Sequence, residues 1–265
     1  MAGPYALGQT YAPWRSRGSG SPCGLLHPLR TPPSDALPEG TAVLVFARTA
    51  AADLSERFAT LPAHVRVAIG RGLQRQIRTQ VRASGLPHVF STEREQRGGT
   101  YGERLGNACA DALALGYRRL IVVGGDCPGL RARHLRAAAE ALETGRSVVG
   151  RDLRGGVYLF GFDGARCVPE RLVSLPYCSA VLAKALTGVL RDGHDEVAEL
   201  ERLGDVHDVR DLRRDFVRFR APSLRQALRG VLGAFAKTRR GALCEALRGS
   251  GQRSVVELRG PPAGI

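Results

Sequence analysis

One carboxylate stands where a parallel sheet would present it to a ligand. Asp126 follows the apolar run at residues 120–123 (LIVV) and two glycines, and Cys127 and Pro128 come next. The run is typical of a buried strand, and ligands of parallel sheets bind beyond the carboxyl ends of the strands. Carboxylate oxygens are preferred ligands of Mg²⁺ and Mn²⁺, which bridge phosphates. Asp126 is therefore a candidate metal ligand, although the pattern also suits an ordinary turn or a helix cap.

A second polar segment lies late in the chain, at residues 204–212 (GDVHDVRDL). Its carboxylates Asp205 and Asp208 are candidate general bases. His207 lies between them, and imidazole ligates Mn²⁺ or a transition metal but suits Mg²⁺ poorly. A histidine in a polar loop is also commonly a hydrogen-bonded surface residue, so both interpretations of His207 stay open.

The hydrophobic pattern predicts the elements that would carry these groups. Strands are predicted at residues 41–47, 86–90, 120–123, 148–149 and 156–162. Helices are predicted at residues 51–60, 63–84, 102–115, 133–142 and 179–190, with a further short helix after residue 206. Gly70 and Gly72 are points at which the second helix could break. Tyr158 and Phe160 occupy alternate positions of one strand, so we expect them to share a face of the sheet.

The alternation of strands and helices predicts the fold class. It indicates an α/β protein with a mostly parallel sheet, right-handed crossovers and helices on both faces. One domain is expected over residues 41–220, preceded over residues 1–40 by a tail rich in Gly, Pro and Ser. Residues 221–265 are predicted to form a basic helical extension, which could dock on an anionic partner.

Composition restricts the classes of partner. The 265 residues carry a formal net charge of +14, but the arginines are spread along the chain and aromatic residues make up only 6%. A groove for single-stranded nucleic acid would interleave basic and aromatic side chains, so nucleic-acid binding is not expected. No apolar run approaches the roughly 20 residues that span a bilayer, and the first residues lack a signal-peptide pattern. The six cysteines have no metal-ligand spacing. We therefore expect a cytoplasmic protein with free thiols and no membrane span.

Four segments in one order resemble a known family. They are GGTYGERLGNA at residues 98–108, LIVVGGDCPGL at 120–130, SVVGRDLRGGVYLFGF at 147–162 and GDVHDVRDL at 204–212. Together they resemble the bacterial glycosyltransferase-like family, formerly a domain of unknown function, of the nucleotide-diphosphosugar transferase superfamily. Its relatives include the nucleotidyltransferases that make molybdopterin guanine dinucleotide and those of deazaflavin cofactor synthesis. The resemblance covers residues 41–215.

The resemblance implies a GT-A-like fold that binds a nucleotide over the carboxyl edge of the sheet, with Mg²⁺ or Mn²⁺ held by Asp126. His207 replaces the second acid of the family's late Asp-x-Asp motif, and we include it among the metal ligands. The nearby carboxylates Asp152, Asp205 and Asp208 could instead substitute for that acid. Arg104 could also contact phosphate, because guanidinium matches phosphate oxygens. The alternative for Glu103 and Arg104 is a capped, solvent-facing first helical turn. The residues that the resemblance places around the nucleotide are Ala47, Arg48, Thr49, Gly102, Glu103, Arg104 and Gly125.

Two departures from the family pattern bear on activity. Residues 48–53 hold one cation, Arg48, where the family usually has a basic loop, and Arg154 replaces a usual aspartate. We expect a glycosyltransferase-like protein that uses a metal-bound nucleotide sugar and an unknown acceptor. The alternatives are a nucleotidyltransferase that uses a nucleoside triphosphate, and a nucleotide-binding protein that has lost turnover.

Overall fold

The structure is a computed structural model that describes residues 40–53, 58, 61–167, 169–192 and 196–215. The predicted tail, apart from Gly40, and the predicted basic extension over residues 221–265 lie outside the described residues. Residues 54–57 and 59–60 of the first predicted helix also lie outside the described residues. In this region the structure describes a helical turn at Ala50–Asp53.

The described chain keeps the predicted order of strands and helices and adds a short strand at Val197–Glu199 that the sequence analysis did not predict. After strand β1 at Thr41–Phe46 and helix α1 at Ala50–Asp53, the elements are α2 (Ala63–Ser84), β2 (His88–Ser91), α3 (Tyr101–Ala114), β3 (Arg119–Val123), α4 (Ala132–Glu143), β4 (Ser147–Arg151), β5 (Val157–Asp163), α5 (Leu182–Arg191), β6 (Val197–Glu199) and α6 (Val209–Arg214), with a 3₁₀ turn at Pro169–Leu172 before α5.

Helix α2 passes through Gly70 and Gly72 without a break. Each glycine costs a helix about 1 kcal/mol relative to alanine. The helix buries Ile69, Leu73 and Ile77 among its neighbours, and that burial offsets the cost. It ends at Gly85, whose φ of 78° lies in the left-handed region that glycine adopts without strain.

The six strands form one sheet in the order β2-β1-β3-β5-β4-β6. β5 is antiparallel to both of its neighbours, and the other pairings are parallel. The connection between β4 and β5 is too short for a crossover helix, so these two strands must pair antiparallel. Helices α3 and α5 cover one face, through residues such as Leu105 and Leu186, and α2 and α4 cover the other. The mostly parallel α/β fold is confirmed.

A bulge in the β4–β5 pair changes which face two aromatic residues occupy. Gly150 pairs with Leu159, but Arg151 pairs with Val157, so the register shifts around Tyr158. Tyr158 packs in the core under α2 and α4, whereas Phe160 packs under α3 and α5. The prediction that they share a face was wrong, because the extra residue of a bulge interrupts the alternation of side chains.

Two further findings concern the cysteines and the possibility of a membrane-spanning helix. The four cysteines of the described residues, at positions 109, 127, 167 and 178, are free thiols. None of the described helices is both long enough and apolar enough to cross a membrane.

Candidate functional site

Five strands direct their following loops to one edge of the sheet. β1, β2, β3, β4 and β6 share one direction, so the segments after them, near residues 47–49, 92–93, 124–128, 152–156 and 200–208, meet at the carboxyl edge. This is the edge at which ligands of open α/β sheets bind.

The loop after β3 places Asp126 close to the end of β1. A side chain at Gly125 would put its Cβ 2.9 Å from the Cβ of Ala47, so glycine lets the two segments approach. The backbone N–H of Gly124 donates to the carbonyl of Tyr158 at 3.3 Å. Asp126 is half-buried at the point where these contacts hold the loop.

The chain after β6 runs alongside β4 and reaches this loop. The N–H groups of Leu200 and Leu203 donate to carbonyls of Val149 and Arg151 at 2.9 and 3.3 Å. Further on, the N–H of Val206 donates to the carbonyl of Asp126 at 3.0 Å. Val206 is fully buried, and its neighbours on either side, Asp205 and His207, approach Asp126.

Asp126, Asp205 and His207 form a cluster of possible metal ligands. One ligand atom from each lies within 4.8 Å of the others. Bonds of about 2.1 Å from a metal ion hold adjacent ligand atoms about 3 Å apart, so a small closure would complete the contacts. Two carboxylates and an imidazole suit Mn²⁺ or another transition metal better than Mg²⁺. The residues present therefore fit a divalent cation, and the structure brings together both predicted metal ligands and one of the two candidate bases.

Asp208, the other candidate base, lies outside this cluster. Its carboxylate is the N-cap of α6 and accepts hydrogen bonds from the N–H groups of Arg210 and Asp211 at 2.7 and 2.9 Å. About half of its side chain is exposed, and an Oδ atom lies 4.0 Å from the guanidinium of Arg154. Its position is thus explained by helix capping, and a role as base stays a prediction.

The loop after β1, where a nucleotide is predicted, is held by Glu93. The N–H and hydroxyl of Thr49 both donate to this carboxylate at 2.6 Å. Partial burial acts to raise the pKa of Glu93, but the hydrogen bonds from Thr49 outweigh it and hold the pKa below its ordinary value. The carbonyl of Arg48 accepts from Gln74 at 2.9 Å. Ala47 and Arg48 line a small open cavity between β1, β2 and α2, together with Gln74 and Arg78.

The first turn of α3 carries three predicted nucleotide-binding residues, and two of them have structural contacts. A Cβ at Gly102 would lie 2.0 Å from the carbonyl oxygen of Val173, so this glycine allows α3 to pack closely. Glu103 forms a capping box with Thr100 and accepts from the N–H groups of Gly99 and Thr100 at 2.7 and 3.0 Å. These hydrogen bonds lower the pKa of Glu103.

Arg104 is the third of these residues. It is half-buried, and its guanidinium forms no ion pair with another described residue. Beside it, Tyr101 is 44% exposed and makes an edge contact with Phe46, at 5.4 Å between ring centroids. The sequence analysis did not single out Tyr101, because the sequence does not show which residues a tyrosine at the start of a helix will contact.

Asp211 is another residue that sequence reasoning missed. Its side chain is 2% exposed, and one oxygen accepts the backbone N–H of His207 at 2.9 Å. The spacing Asp208-x-x-Asp211 could have identified Asp211, because a side-chain acceptor three residues after an N-cap residue is the capping-box pattern.

Residues 49–179 match one family model. The family is described as "Uncharacterized protein conserved in bacteria (DUF2064)". The matched segment includes the loop of Asp126 and the start of α3, and it ends before Asp205 and His207. No curated protein matches the sequence.

Solved structures give the fold. The chain is similar to a candidate nucleotide-diphospho-sugar transferase from Desulfovibrio desulfuricans G20, with a TM-score of 0.60 and 19% identity over 72% of this chain and 94% of that one. Rv0371c from Mycobacterium tuberculosis H37Rv gives a TM-score of 0.40 and 22% identity over 69% of this chain and 98% of that one. Its complex with manganese gives 0.38 and 21%, over 66% and 97%. The first likeness establishes a nucleotide-diphospho-sugar transferase type of fold.

Proposed function

We propose that this chain is a cation-dependent transferase that binds a nucleotide sugar over the carboxyl edge of its sheet. The observation that carries the proposal is the meeting of Asp126, Asp205 and His207 within 4.8 Å, from two loops that the fold brings together. The fold shared with the Desulfovibrio protein supports the nucleotide-sugar class.

A divalent cation bound there would neutralise the charge that develops on a diphosphate leaving group. Asp126, Asp205 and His207 hold the cation, and Asp205 is therefore assigned as a ligand in place of a base. The segment from Ala47 to Thr49 borders the nucleoside. Arg104, whose guanidinium forms no ion pair in the described part of the chain, contacts phosphate. Asp208 is the remaining candidate to accept a proton from an acceptor hydroxyl.

The donor set favours Mn²⁺ over Mg²⁺. Mg²⁺ prefers a shell of oxygen atoms, whereas an imidazole nitrogen is an ordinary ligand of transition metals. Replacing His207 with aspartate should therefore move the preference toward Mg²⁺, which is measurable by titration with each ion.

Thermal denaturation with nucleotide sugars and Mn²⁺ tests the proposal. Ligand at 100 times its Kd adds about 2.7 kcal/mol, which corresponds to a rise in Tm of about 5–10 °C for a domain of this size. The rise should need both the ion and the nucleotide, and Asp126→Asn should abolish it. Asp192→Asn is the control, because it removes an exposed carboxylate that pairs with Arg171 away from the cluster. An unchanged Tm with every nucleotide sugar tested would contradict the proposal.

Product analysis then separates the kinds of activity. Release of a nucleoside diphosphate from a nucleotide sugar supports glycosyl transfer. Release of pyrophosphate from a nucleoside triphosphate would instead mean nucleotidyl transfer. Binding without either product would mean that the chain keeps the site and has lost turnover.

A further inference from the structure

The segment that carries Asp205 and His207 is fixed at three successive residues. The carbonyl of Asp205 accepts from Nη2 of Arg214 at 2.9 Å. The N–H of Val206 donates to the carbonyl of Asp126 at 3.0 Å. The N–H of His207 donates to Oδ2 of Asp211 at 2.9 Å. Two of these three restraints come from side chains of α6, so this short helix holds the backbone of both proposed ligands.

Asp211 is the centre of this arrangement, and both of its oxygens are used. Oδ1 lies 2.7 Å from Nη2 of Arg154 and 3.0 Å from Nη1 of Arg214. Oδ2 accepts from the N–H groups of His207 and Asp208. A carboxylate that is only 2% exposed is costly unless it is fully paired. Asp211 satisfies that requirement with two guanidinium groups and two N–H groups, whereas the capping box alone needs only the N–H of Asp208.

The two arginines are themselves held in place. The turn that carries Arg154 is fixed by Oδ1 of Asp152, which accepts from the N–H groups of Arg154 and Gly156 at 2.6 and 2.7 Å. Arg214 pairs with Asp215 at 2.6 Å. A Cβ at Gly204 would lie 2.5 Å from Nη2 of Arg214, so glycine leaves room for the guanidinium beneath the ligand segment. The network thus connects the β4–β5 turn, α6 and the loop of His207.

We infer that Asp211 is a positioning residue, which holds His207 where its imidazole completes a cation site with Asp126 and Asp205. This inference rests on the proposed function, because it needs a cation at the cluster. Groups that orient a ligand without touching the metal commonly contribute about 10- to 100-fold to its affinity. Since His207 is the nitrogen ligand, Asp211 supports the preference for Mn²⁺ over Mg²⁺.

A double-mutant cycle with His207 tests the inference. Mn²⁺ and Mg²⁺ affinities are measured by titration, with free Mn²⁺ followed by electron paramagnetic resonance. Asp211→Ala should weaken Mn²⁺ binding about 10- to 100-fold and weaken Mg²⁺ binding much less. In a His207→Ala background, Asp211→Ala should change Mn²⁺ affinity by no more than about 3-fold, because the ligand that it positions is gone.

Two further variants keep the test interpretable. Asp163→Ala removes another buried carboxylate, paired with Arg118 at the opposite end of β5, and should leave both ion affinities unchanged. Arg154→Gln removes one partner of Asp211 and tests the network if Asp211→Ala does not fold; it should also weaken Mn²⁺ more than Mg²⁺. Equal losses for the two ions, equal losses in both His207 backgrounds, or no loss in either variant overturns the inference. Failure of the unmutated protein to bind Mn²⁺ overturns the cation site itself.

Discussion

At the scale of single residues, two glycines in helices differ in the space available for a side chain. A Cβ at Gly102 would lie 2.0 Å from a backbone oxygen of the 169–177 segment, whereas a Cβ at Gly188 in α5 would meet nothing within 4 Å. Gly102→Ala should therefore destabilise the protein by about 1–3 kcal/mol through overpacking. Gly188→Ala should stabilise it by about 0.5–1 kcal/mol, because alanine is the better helix former. Urea denaturation measures both, and equal effects at the two positions would refute the packing role of Gly102.

The site residues show how far spacing alone identifies chemistry. The position of Asp126 at the carboxyl edge was predictable, because an apolar run fixes the end of its strand, and its role as a metal ligand stays a prediction. Asp205 was predicted as a base or as a substitute for the family's missing acid, and the sequence does not show that its loop runs beside β4 and reaches Asp126. Gly102 and Glu103 were predicted at the nucleotide, and their contacts show that packing and capping already explain both residues. A glycine that lets backbones approach gives the same sequence signal as a glycine that lets a ligand approach.

At the scale of elements, the start of α3 depends on an ionised carboxylate. Glu103 accepts from the N–H groups of Gly99 and Thr100, and these bonds put its pKa below the ordinary value of 4.5. A lowered pKa means that the stabilisation is complete above pH 4.5 and is lost as the pH falls through the folded-state value. Wild type should therefore exceed Glu103→Gln in stability at pH 7, and the difference should shrink as the pH falls below 4.5 and through the folded-state pKa.

Denaturation curves at several pH values measure that difference. Glu143→Gln is a suitable comparison, because Glu143 is exposed in the last turn of α4, where a negative charge gains nothing from the helix dipole. A difference for Glu103→Gln that is the same at pH 3 and pH 7 would show that the charge of Glu103 does not support the helix.

The order and type of the elements were largely predictable, and their exceptions have physical causes. The spacing of apolar residues along the sequence locates strands and helices, because each type of element buries one face and repeats its apolar residues at a characteristic interval. This spacing does not predict the bulge at Tyr158. It also does not predict the direction of β5, which follows from the short connection after β4. It also suggested a break in α2 at its glycines, since local propensity omits the burial that keeps the helix continuous.

At the scale of the whole molecule, the sheet explains why distant residues meet. Strand direction sends the loops of Asp126 and of Asp205 to one edge, and the bond from Val206 to the carbonyl of Asp126 joins them. The segments at this edge also include Ala47, Arg48 and Thr49, so the proposed cation and nucleoside positions are neighbours. The fold class was predictable from alternation, whereas the convergence of Asp126, Asp205 and His207 needed the topology.

We propose that a divalent cation binds where these loops meet. The most direct measurement is the anomalous diffraction of Mn²⁺ in crystals grown or soaked with the ion and a nucleoside diphosphate. We expect one strong peak about 2.1–2.3 Å from an oxygen of Asp126, an oxygen of Asp205 and a nitrogen of His207, with phosphate oxygens completing the shell. A bound nucleotide with no Mn²⁺ peak at these side chains, or with the peak elsewhere, would contradict it.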